Sequence, residues 1–125
     1  MKENKEFLDY LEDRANAMSR IGEYTKGIGY EDFMNNHLIR DGVIRQIEIL
    51  GEAAKRIPVF VRDKHPEIPR RAMAGMRDKM IHEYAGVDPD VIWKVATTNI
   101  PKDKPGIMKI LKDEKEFHEN KKSEQ

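Results

Sequence analysis

The sequence predicts an all-α protein: an up-and-down bundle of four to five helices in one domain over residues 1–119, with a polar tail at 120–125. Three observations predict it. Apolar residues recur at helical spacing in successive segments, the segments are separated by short glycine and proline breakers, and no stretch reads convincingly as a strand. At 125 residues the chain can bury a single core. With 38% hydrophobic and 37% charged residues, that core must be assembled from narrow stripes on otherwise solvated helices.

The elements follow in order. Residues 3–26 carry Phe7, Leu8, Leu11, Ala15, Met18 and Ile21 at helical spacing and run out at Gly27 and Gly29. Residues 30–36 can form a short helical turn leading into a second helix, roughly 37–57, with Val43, Ile47, Leu50, Ala54 and Ile57 on one stripe and Pro58 as its stop. On its polar side Arg45, Glu48 and Glu52 are helical neighbours. Between Pro58 and Pro69 the prolines impose a connector with one short turn at most. Pro69 suits the first turn of a third helix and Gly86 its exit. Asp88-Pro89 reads as a cap and first helical residue for a fourth helix through Val91, Ile92, Trp93, Val95 and Ala96, ending before Pro101. A last helix over 105–119 uses Ile107, Met108, Ile110, Leu111 and Phe117.

Composition removes several classes of function. There is no cysteine, so disulfides, thiolate zinc sites and thiol nucleophiles drop out, and a reducing cytoplasm is the expected compartment. No run approaches the ~18 apolar residues that span a bilayer, and the start Met1-Lys2-Glu3-Asn4-Lys5-Glu6 lacks a signal-peptide core, so a soluble cytoplasmic protein is expected. Basic and acidic residues balance at 23 each, which argues against coating nucleic acid through bulk charge. Locally, residues 62–79 hold six basic side chains against three acidic ones, a solvated face or a guide for RNA. His37, His65 and His118 have no partner at metal-ligand spacing and are expected to face solvent, with no metal and no cofactor. The methionines read as core filler and Trp93 as a core or interface anchor. Gly27 and Gly29 lack the lysine and strand of a phosphate loop.

Chemistry concentrates in Arg77-Asp78-Lys79-Met80-Ile81-His82-Glu83-Tyr84. On a helix at ~100° per residue, Met73, Met76, Met80, Ile81 and Tyr84 share an apolar stripe and Arg77 falls inside it. A charge there is costly unless paired. It is either a structural ion pair, for instance with Glu52, or a phosphate-binding group at the floor of a cleft. Asp78 lies one turn before His82, so the two either form an exposed ion pair or the carboxylate orients the imidazole for proton transfer. Arg77 and His82 lie about 140° apart on an ideal helix. Pairing of two copies across a two-fold axis would bring both groups to one cleft, and a homodimer is expected.

The run from Gly75 to Tyr84, followed by Gly86-Val87-Asp88, Val91, Trp93 and Pro101, resembles the HepT-like toxins of the HEPN superfamily, whose signature is Arg, four residues, His, one residue, Tyr. The resemblance extends upstream through Pro66-Glu67-Ile68-Pro69 and Ile49-Leu50-Gly51-Glu52-Ala53-Ala54 to Arg45, covering roughly residues 40–101. Arg70 stands where such proteins often have tryptophan. The resemblance implies a HEPN-like helical dimer that cleaves RNA without a metal, as the toxin of a type VII toxin–antitoxin system. By position, Arg77, His82 and Asp78 would be catalytic. Tyr84 would accept AMP groups from a minimal nucleotidyltransferase antitoxin, blocking the cleft with bulk and negative charge. Lys79, Arg71, Arg45 and Glu52 would support the site or guide RNA. Two other readings stay open: an inactive RNA- or nucleotide-binding module, and an interaction partner of a nucleotidyltransferase.

Overall fold

A computed structural model describes the backbone of residues 2–68 and 88–123 and the side chains of 7–68 and 88–120. All regular structure among these residues is helical. The expected third helix, from Pro69 to Gly86, lies outside them.

Helix α1 spans Lys2–Thr25. Phe7, Leu11, Ala15, Met18 and Ile21 are all buried, as their spacing requires. The helix ends because Gly27 takes a left-handed φ of 75°, a conformation glycine adopts without steric cost. Helix α2, Tyr30–Asn35, is one short turn whose Asp32 carboxylate accepts from the Gly29 N–H at 3.3 Å. Its Phe33 is fully buried with its ring centroid 5.1 Å from that of Trp93. Trp93 is thus a packing residue. Helix α3, His37–Lys55, opens on Asn36, whose Oδ1 accepts from the Ile39 N–H at 3.1 Å. It buries Val43, Ile47, Leu50 and Ala53.

After Pro58, helix α4 is a single turn, Val59–Asp63, with Val61 buried. Helix α5, Pro89–Lys94, starts as expected, with the Asp88 side chain accepting from the Asp90 N–H at 2.9 Å and Pro89 in the first turn. The expected stop before Pro101 does not occur. A π-helical stretch, Val95–Asn99, follows directly and leads into helix α6, Ile100–Ser123. The Ile100 N–H donates to the Val95 carbonyl five residues back, so the register shifts by one residue just where Pro101 cannot donate. The fourth and last helices are therefore one rod, and it runs into the region expected as a polar tail.

Helix α1 packs mainly against α3 and α6. The close fit of the connector is visible at Gly106, where a Cβ would stand 3.1 Å from Ile68 Cγ2. No helix among the described residues is long and apolar enough to cross a membrane.

Candidate functional site

The residues singled out for chemistry divide into two sets. Arg71, Arg77, Asp78, Lys79, His82 and Tyr84 lie outside the described residues. Arg45 and Glu52 lie within them, and the structure brings both to one cleft.

That cleft lies between the outer faces of α1 and α3 and encloses about 200 Å³. Helix periodicity explains its α3 wall: Arg45, Ile49, Glu52, Ala53 and Arg56 recur at three- and four-residue steps. The α1 wall is Tyr10 and Asp13. Antiparallel packing sets the register, with Tyr24 against Gly42 near one end and Tyr10 beneath the Arg56 guanidinium, 5.8 Å from the ring centroid, near the other. Ala53 is buried and Ile49 and Tyr10 are half-buried, while the charged side chains form the rim.

The rim charges are poorly paired. Arg45 Nη1 is 3.9 Å from Glu48 Oε1, at the edge of an ion pair, and its side chain is 68% exposed. Glu52 reaches Lys55 on its own helix at 3.5 Å. Among the described residues, neither arginine of the cleft contacts Asp13 or Glu52 within ion-pair distance. Surface pairs of this kind contribute little to stability, so these groups are available to a ligand at small cost.

Helix α1 also buries a charge that sequence reasoning missed. Arg14, one residue beyond Asp13, is 2% exposed and its Nη1 donates to the Leu50 carbonyl at 3.4 Å. Burial lowers its pKa to about 10, and the nearby Asp103 carboxylate partly opposes that shift. The signal was present: Arg14 falls between Leu11 and Met18 on the apolar stripe of α1.

The histidines correct another expectation. His37 is exposed as expected, but His65 and His118 do not face solvent. His65 is 6% exposed, and its Nε2 lies 3.1 Å from an oxygen of Glu114, itself 2% exposed. His118 packs its ring against Phe7 and Phe117. Lys64 adds a 2.9 Å ion pair to Glu114, and Lys109 bridges Glu67 at 3.0 Å and Asp113 at 3.3 Å. These contacts clamp the connector onto α6 immediately before the Arg/His segment. Paired carboxylates explain why a buried imidazole is tolerated there. Among the described residues no group of three or more histidine or acidic side chains is arranged to hold a metal ion.

Comparison with known proteins adds an independent observation. The family described as "Ribonuclease HepT-like" matches residues 15–118. A Thermococcus cleftensis protein named "Probable ribonuclease HepT" is 49% identical over 104 residues, covering 83% of this chain and 94% of that protein. "Putative RNase MJ0125" of Methanocaldococcus jannaschii is 46% identical over 104 residues, covering 83% of this chain and 90% of its own length. "Putative RNase TTE0752" of Caldanaerobacter subterraneus is 40% identical over 106 residues, covering 85% and 95%. No solved structure matches.

Proposed function

The chain belongs to the HepT-like ribonuclease family of the HEPN superfamily, and from that membership we propose that it is a metal-independent endoribonuclease, the toxin of a toxin–antitoxin pair. One observation carries the reading: Arg77, His82 and Tyr84 stand at the family's motif spacing inside the matched region.

The chemistry follows from those residue types. His82 takes the proton of a ribose 2'-OH as its oxygen bonds to the adjacent phosphorus. The bond from phosphorus to the 5'-oxygen breaks, and an imidazolium, from the same or the paired subunit, protonates the departing oxygen. Arg77 holds the phosphoryl oxygens as their charge grows, and Asp78 orients the imidazole. The product ends in a 2',3'-cyclic phosphate. A homodimer supplies two histidines, which suits a reaction that needs a base and an acid. Addition of AMP to Tyr84 by a nucleotidyltransferase antitoxin places bulk and negative charge beside the phosphate site and silences it.

The test is incubation of the protein with a labelled transfer RNA and a messenger RNA in the presence of chelator. Wild type is expected to cut both or one of them, leaving cyclic phosphate ends, and His82→Ala to leave them intact. Equal cutting by the two proteins, or activity only with magnesium, would overturn the proposal. Binding without cutting across several RNAs would leave a binding module in its place.

A further inference from the structure

We propose that the cleft between α1 and α3 is a subsite for one unpaired nucleotide of single-stranded RNA, with Tyr10 and Arg56 as its stacking wall and the guanidiniums of Arg45 and Arg56 as phosphate contacts. The inference rests on the ribonuclease reading for the identity of the polymer. Its physical basis is separate.

Size decides what kind of ligand fits. At about 200 Å³ the cleft is smaller than the ~300 Å³ from which sites enclosing whole small molecules begin. It suits one unit of a polymer whose remainder lies outside. The floor is apolar, formed by Ile49 and Ala53, and the end wall is the Tyr10 ring under the Arg56 guanidinium. Unpaired bases are held in this way, against aromatic faces and guanidinium planes.

Charge supplies the second argument. Arg56 has no carboxylate within ion-pair distance among the described residues, and Arg45 has only Glu48 at 3.9 Å. Two guanidiniums on one rim, neither within ion-pair distance of Asp13 or Glu52, form a contact for backbone phosphate. Asp13 and Glu52 on that rim are acceptors suited to ribose hydroxyls or a base amine. A purely solvated charged face would need neither the apolar floor nor the ring.

The experiment uses wild type and a fluorescent single-stranded 2'-O-methyl oligonucleotide of mixed sequence, which lacks the attacking hydroxyl, with anisotropy read over a range of salt. Tyr10→Leu is expected to weaken binding by about tenfold, within the range for loss of base–aromatic stacking. Arg45→Gln and Arg56→Gln should each reduce the slope of log affinity against log salt by ~0.7, the loss of one phosphate contact. Folded variants that keep wild-type affinity and slope overturn the subsite, as does equal affinity for the same sequence in a duplex.

Should a variant fail to fold, photo-crosslinking of an iodouridine-substituted oligonucleotide to wild type decides. An adduct on Tyr10 supports the subsite, and adducts confined to other segments exclude it. Cleavage of unmodified RNA separates the two claims. Wild type that cuts RNA, with the Tyr10 and Arg56 variants binding normally, sinks the subsite alone. Binding through Tyr10 and Arg56 without any cutting sinks the ribonuclease reading alone.

Discussion

Replacing Arg14 with methionine tests whether the buried guanidinium is a net cost or a net gain to the fold. Its pKa stands at about 10, well below the ordinary arginine range, and each unit corresponds to ~1.36 kcal/mol between protonation states. Holding the charge inside therefore costs on the order of 3 kcal/mol at neutral pH, even with the Asp103 carboxylate in its favour. Arg14→Met removes that cost but also removes the donor to the Leu50 carbonyl and the positive charge near Asp103, which is 9% exposed. Removing one of two neighbouring buried charges is strongly destabilising, so the single variant is expected to lose ~3–5 kcal/mol. The double variant Arg14→Met/Asp103→Leu is expected to regain part of this, because apolar groups of similar volume are tolerated where neighbouring buried charges were. Urea unfolding followed by circular dichroism measures both. The sign with pH is also fixed. Above about pH 10 the folded state releases the Arg14 proton while the unfolded chain keeps it to the higher ordinary arginine range, so the contribution of this group to stability rises across that window. A single variant within ~0.5 kcal/mol of wild type, or a double variant with additive losses, would refute the reasoning.

Three further substitutions probe other parts of the frame. Glu114→Gln keeps shape but removes the charge that accepts from Lys64 and His65, and a loss of ~1.5–3 kcal/mol is expected in the same unfolding assay. Gly27→Ala forces a side chain into the left-handed region and should cost ~1–2 kcal/mol, read as a lower thermal midpoint. Gly106→Val drives branched carbon atoms into Ile68, so ~1–3 kcal/mol should be lost, whereas an unchanged midpoint would mean that Ile68 moves aside freely.

Local periodicity made much of the fold legible. The stripes of α1 and α3 and the Asp88-Pro89 start all follow from patterns spanning fewer than twenty residues, and each appears in the structure. The run-on from α5 to α6 was not legible, because Pro101 is a strong stop signal unless a π-helical turn shifts the register around it. Long-range pairing was equally hidden. His65 meets Glu114 across 49 positions, and no spacing rule connects them. The candidate site divides in the same way. Arg45 and Glu52 are seven residues apart and visibly share a helix face, but Tyr10 joins them only through the register of α1 against α3. Arg14 could have been found by the reasoning applied to Arg77, a charge inside an apolar stripe.

The unbroken run from Pro89 to Ser123 has a mechanical meaning. Without a loop between α5 and α6, continuous helical backbone links the Trp93 end, seated on Phe33, to the Glu114 end, gripping His65, and the π-helical turn beside Pro101 is where that backbone would bend.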